Sequence, residues 1–126
     1  MVMKQRKLAI GILGRWPLHR QAYRSLLAGI NQRVTIDSGF DAKSVWAALR
    51  AKPDLILVDA DDVNGVAIDC VQMILRLNRE IQILVVSGAL DAAAVHAWSK
   101  CDIHGYVVKD GGIDELAQVL RLRNGA

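Results

Sequence analysis

The sequence predicts an α/β domain built on an open, doubly wound parallel sheet, with five strands alternating with five helices. Three observations predict it. Five short apolar runs rich in β-branched residues recur along the chain. Most are continuous rather than alternating, the pattern of parallel strands covered on both faces. The segments between them carry apolar residues at helical spacing, and parallel neighbours need such crossovers, which are right-handed.

The first strand is predicted over residues 8–13. Pro17 follows near a helix start, where its missing amide donor costs little, and Leu18, Ala22, Leu26 and Ile30 then repeat every four residues, with Tyr23 and Leu27 widening the stripe. The second strand falls at 34–36. Asp41 is a plausible N-cap for a second helix with Ala42, Val45, Trp46 and Leu49 on one face. The third strand, 55–58, precedes a stripe of Val66, Cys70, Met73, Ile74 and Leu77. The fourth, 81–86, precedes Ala94, Val95 and Trp98, entered after Asp91. The fifth, 106–108, precedes Ile113, Leu116, Ala117 and Leu120, a helix entered through Gly111-Gly112 and left through Asn124-Gly125.

The 126 residues suit one domain, with residues 1–6 expected as a flexible basic tail. No apolar stretch approaches the roughly 20 residues that span a bilayer. The run after the basic start reads as a strand, not a signal peptide, so a cytoplasmic protein without membrane contact is expected. Cys70 and Cys101 are too few for a disulfide framework and read as reduced thiols, Cys70 as core filler. His19, His96 and His104 are scattered, which argues against a metal cage. Sixteen Lys and Arg against 13 Asp and Glu give a net charge of +3. Arg15, Arg20, Arg24 and Arg33 read as a solvated helix face, with a docking surface for an acidic partner as the sharper alternative. No recognition-helix pattern or zinc-finger spacing points to direct nucleic-acid binding. Trp46 reads as core, Trp16 as a cover over the first loop, and Trp98 as packing or an interface.

In a doubly wound sheet, function collects at the carboxyl ends of the strands. After the first predicted strand come Gly14, Arg15, Trp16 and Pro17. The third is followed by Asp59, then Asp61 and Asp62; the fourth by Ser87; the fifth by Lys109 and Asp110. A carboxylate nucleophile, a hydroxyl donor and an ammonium on one rim can accept and hold a phosphoryl group.

These residues resemble the response-regulator receiver domain of two-component signalling, over about residues 7–122. Pro53-Asp54-Leu55-Ile56-Leu57-Val58-Asp59 is similar to the strand carrying the phospho-acceptor aspartate. Ile83-Leu84-Val85-Val86-Ser87 is similar to the strand ending in the switch hydroxyl, and Gly105-Tyr106-Val107-Val108-Lys109-Asp110 to the one with the switch aromatic and the site lysine. Lys109-Asp110 and Trp16-Pro17-Leu18-His19-Arg20 resemble the receivers of LuxR/NarL-type transcriptional regulators. The resemblance implies a flavodoxin-like strand order 2-1-3-4-5, an acceptor at Asp59, phosphate and switch roles for Ser87, Tyr106 and Lys109, and no enzymatic activity of its own. It also implies a sensor histidine kinase as partner, a homodimer, and control of transcription through an attached or partner DNA-binding domain.

The sequence departs from that pattern at the metal. Gly14 and Arg15 stand where the family carries two adjacent acidic residues, and the loop after Asp59 is shorter than usual. Magnesium is held through carboxylates, waters and phosphate oxygens, so its binding is expected to be weak or absent. Arg15 is expected to pair with Asp59 in the cation's place, leaving the domain to signal through protein contacts. Two alternatives stay open. Asp61 or Asp62 can supply the missing oxygens and keep Asp59 a conventional phospho-acceptor. A small-molecule-binding flavodoxin-like domain is the other, although Gly11 and Gly14 do not form a dinucleotide fingerprint.

Overall fold

The residues of the central strands meet protein on both sides, which is why those apolar runs are unbroken. The computed structural model describes residues 8–30, 32–61, 65–88, 92–108, 116 and 118–120. The basic tail, Asp91, Gly111-Gly112 and Asn124-Gly125 lie outside them. The element order is β1 (Ala9–Leu13), α1 (Pro17–Gly29), β2 (Arg33–Ser38), α2 (Ala42–Arg50), β3 (Leu55–Asp59), α3 (Val66–Leu77), β4 (Gln82–Ser87), α4 (Ala92–Ser99) and β5 (Gly105–Val108). Leu116 and residues 118–120 are also helical.

The five strands are parallel and lie in the order β2-β1-β3-β4-β5, the expected one. Successive strand residues point to opposite faces, and this splits the core in two. Ile10, Ile12, Leu55, Leu57, Leu84, Val86 and Val107 pack with Tyr23, Leu27, Leu116 and Leu120. Leu13, Ile56, Val58, Ile83 and Val85 pack on the other face with Val45, Ala48, Cys70, Val71, Ile74 and Trp98. The register brings the carboxyl ends to one rim, with Leu13 beside Val58, Asp59 beside Val86 and Ser87 beside Val108.

Three helix faces differ from the sequence expectation. α1 buries Tyr23 and Leu27, whereas Leu18 is 77% exposed and Ala22 also faces water. The helix has two apolar stripes, and the one with the larger aromatic wins the sheet. α2 buries Val45 and Ala48, and Trp46 is 51% exposed rather than core. Adjacent helical residues diverge by about 100°, so Val45 and Trp46 cannot both face the sheet. α3 buries Ala67, Cys70, Val71, Ile74 and Leu75, leaving Val66, Met73 and Leu77 outside. Trp98 is packed in the core. Asp41 caps α2 as expected, accepting from the Ser44 amide; the Ser44 hydroxyl beside it holds its carboxyl below the usual carboxylate range.

Burial pushes the Cys70 thiol up to about 12, with the Asp41 charge adding to the effect. Cys101 is only half-buried. A disulfide reagent at pH 8 is therefore expected to titrate one thiol in the native protein and two after unfolding, since the thiolate is the reactive form. The folded value lies above the unfolded one of about 8.5, so the thiol's contribution to stability is complete below that pH. It is lost as pH rises through the interval up to the folded value, and a series of alkaline melts would show the decline.

Candidate functional site

Asp59 is the last residue of the central strand β3, and β1 and β4 flank it closely enough that its side chain is 1% exposed. A buried carboxylate must find donors. One is the Asp61 amide, 3.1 Å from Oδ1. Another is His19 Nδ1, 2.7 Å from Oδ2. An ionised carboxylate only accepts, so Nδ1 carries the proton of that bond. His19 lies in the first turn of α1, two residues after Pro17. Helical side chains tilt toward the helix N-terminus, which carries this ring back over the strand ends.

Gly14 permits the close approach of β1 to the acceptor position. Its N–H donates to the Ser38 carbonyl at 3.0 Å, and its own carbonyl accepts from Arg20 Nη1 at 2.6 Å. A Cβ at Gly14 would stand 3.0 Å from the Asp59 Cβ and 3.4 Å from the Arg20 side chain. Arg20 Nε also donates to Asp37 Oδ1 at 2.7 Å, and Arg24 Nε to Asp37 Oδ2 at 3.2 Å. Arg20 and Arg24 are thus tied to the end of β2 rather than forming part of a wholly solvated face. Removing Arg20 leaves a partly buried Asp37 and a carbonyl short of donors. Arg20→Ala is expected to cost about 1–3 kcal/mol in chemical denaturation, and Arg20→Lys to recover little because it loses the fork that serves two acceptors.

The expected Arg15–Asp59 pair does not form. Arg15 is exposed, and its guanidinium lies 4.9 Å from the centroid of the Trp16 ring. Arg15 precedes the helix, on the extended approach to Pro17, where a cation keeps its hydration and still gains from the indole face. Among the described residues the side chain that bonds Asp59 comes instead from the first turn of α1.

The turn after Asp59 is fastened on two sides. Trp16 Nε1 donates to the Asp61 carbonyl at 2.9 Å, placing the indole over the site loop. The Gly88 amide donates to Asp61 Oδ1 at 2.7 Å, and a Cβ at Gly88 would stand 3.2 Å and 3.3 Å from the Asp61 carboxylate oxygens. Ser87 is buried at the end of β4 on the same rim. Tyr106 is half-buried and packs against the core cluster that contains Trp98. Lys109, Asp110 and Asp62 lie outside the described residues.

His19, Asp59 and Asp61 each present a donor atom within 4.8 Å of the others. This set fits magnesium poorly. Magnesium demands near-octahedral oxygen ligation, while Gly14 and Arg15 bring no acidic oxygen, the Asp61 carbonyl is engaged by Trp16, and the third donor is an imidazole nitrogen. His19 was not singled out by sequence. The signal that locates it is its place in the first turn of a helix whose start Pro17 already marks.

No protein-family model and no curated protein matches the sequence. Solved structures do match. The isolated receiver domain of RcsB from Salmonella enterica serovar Typhimurium, with phosphomimetic BeF3−, is 21% identical at TM-score 0.78, covering 95% of this chain and 91% of that one. A LuxR-family DNA-binding response regulator from Staphylococcus aureus is 15% identical at TM-score 0.79, covering 93% and 98%. The receiver domain of a sensor histidine kinase from Pseudomonas aeruginosa, with magnesium in its active-site cleft, is 18% identical at TM-score 0.72, covering 96% and 100%. In topology this chain has the fold of the response-regulator receiver domain.

Proposed function

We propose that the chain is a non-enzymatic receiver module of two-component signalling in which the acceptor carboxylate is held by a histidine instead of a magnesium ion. It signals through its helical faces with little or no dependence on phosphorylation. The observation that carries this reading is Asp59, buried at the end of β3 and closed by His19 Nδ1 at 2.7 Å, beside a Gly14-Arg15 pair that offers no acidic ligands. Phosphoryl transfer relies on a metal to neutralise charge on the moving oxygens. With the imidazole on Oδ2, neither magnesium nor a phosphoryl donor finds the carboxylate open.

A LuxR-family DNA-binding response regulator among the solved relatives supports a role in transcription through a DNA-binding domain, attached or supplied by a partner, and RcsB dimers bound to DNA support a homodimer as working unit. A sensor histidine kinase upstream and a cytoplasmic setting belong to the same proposal. Among the described residues no helix is long and apolar enough to cross a membrane. The direct test is exposure to acetyl phosphate, and separately to beryllofluoride, with millimolar magnesium, read by intact mass and by amide NMR shifts around Asp59. Little or no modification is expected. Stoichiometric modification of Asp59 would return the domain to conventional phospho-switching.

A further inference from the structure

The opposite end of the sheet from Asp59 carries a cavity of its own. About 550 Å3 of space opens between the second half of α3 and the connection from α4 to β5. Small-molecule sites fall in the range of about 300–1,000 Å3. We propose that this cavity binds a phosphate-bearing small molecule, its phosphate on Arg76, Arg79 and Lys100 and its carbon body on Leu75 and Cys101. The inference stands apart from the reading of Asp59.

The first support is charge. Arg76, Arg79 and Lys100 line the cavity, and among the described residues none of the three forms an ion pair. Asp102 is the one acidic residue among those lining it. The carboxyl ends of α3 and α4 favour cations nearby, yet supply no counter-ion. Like charges around one concavity repel each other and focus the field there, so an entering anion relieves the repulsion. The second support is ligand chemistry. An arginine fork donates two parallel bonds to phosphate oxygens, and a lysine adds a point charge. His104 Nδ1 accepts from the Ile83 amide at 2.9 Å, so the ring proton is on Nε2, which adds a donor to the lining. The third is the mixture of surfaces. Leu75 is buried and Cys101 half-buried, while the three cations are exposed. A basic rim over apolar lining suits an organic phosphate better than a bare anion.

The test titrates the intact chain with phenyl phosphate, with inorganic phosphate and phenol as its two halves. Amide NMR shifts report binding, and the rate at which neutral iodoacetamide alkylates Cys101 reports its place. One-to-one binding is expected, about tenfold tighter than inorganic phosphate, with alkylation slowed at the same half-saturation. Arg76→Gln and Lys100→Gln should each weaken it about tenfold. Arg50→Gln, which removes a charge from α2, should leave it unchanged; thermal melts confirm that each variant folds. No saturable binding, binding that leaves Cys101 as reactive as before, or an equal loss in all three variants overturns the proposal. Inorganic phosphate bound as tightly as phenyl phosphate overturns the organic class. A hexaglutamate peptide bound more tightly than phenyl phosphate overturns it in favour of an acidic protein partner. Each of these failures leaves the histidine-held Asp59 untouched.

Discussion

Gly14→Asp is expected to destabilise the domain by about 3–5 kcal/mol without metal, and millimolar magnesium should restore part of the loss. The new Cβ would lie 3.0 Å from the Asp59 Cβ, so the strand ends must part by a few tenths of an ångström. Overpacking of that kind costs about 1–3 kcal/mol. The added carboxylate would also face a buried carboxylate at close range. A like-charge pair at about 4 Å costs on the order of 4 kcal/mol at an effective dielectric of 20 before relaxation and protonation soften it. Gly14→Ala separates the two effects, since it keeps the steric cost and drops the charge. Urea titrations of both variants with and without magnesium provide the measurement. Rescue confined to Gly14→Asp would show that the vanished ligand, rather than the rest of the rim, keeps magnesium away. An unchanged midpoint for Gly14→Asp would mean that Asp59 is less enclosed than described.

The second large effect lies in the core. Leu57 is fully buried at the middle of β3, between β1 and β4, among Ile10, Ile12, Leu27, Leu84 and Leu120. Neighbours on a central strand are pinned by two ladders and collapse little around a void. Leu57→Ala is therefore expected to cost about 3–5 kcal/mol, the upper half of the range for such truncations. Trp46→Ala removes more atoms yet should stay within about 0.5 kcal/mol, because the ring is half in water on the outer side of α2. Equilibrium unfolding of the pair compares burial with size. A larger loss for Trp46→Ala would show that its ring is covered in solution, for instance in a dimer.

The sheet was legible because its central strands are unbroken apolar runs, and β1, β3 and β4 fall within a residue or two of their expected ends. β2 extends over Arg33–Ser38 rather than 34–36. It is an edge strand of intermediate burial, and its polar Arg33, Asp37 and Ser38 hide its length from a reading based on apolar content. Helix faces were less legible where two apolar stripes compete, as Leu18 and Tyr23 do in α1. At the rim, the chain position of Asp59 follows from the strand pattern, but its partner does not. Arg15 is nearer in sequence to the first strand and carries the stronger charge, yet His19 makes the bond, because the turn into a helix sets direction and sequence distance does not. The Arg20–Asp37 tie, 17 residues apart, was likewise invisible until α1 and β2 were placed side by side.

The indole bond from Trp16 to the Asp61 carbonyl also gives the molecule its own optical reporter. The other two tryptophans sit in distinct surroundings, Trp98 enclosed and Trp46 half exposed. With those replaced by phenylalanine, the emission colour of the remaining ring would follow any loosening of the loop beneath it, in real time and with no label attached.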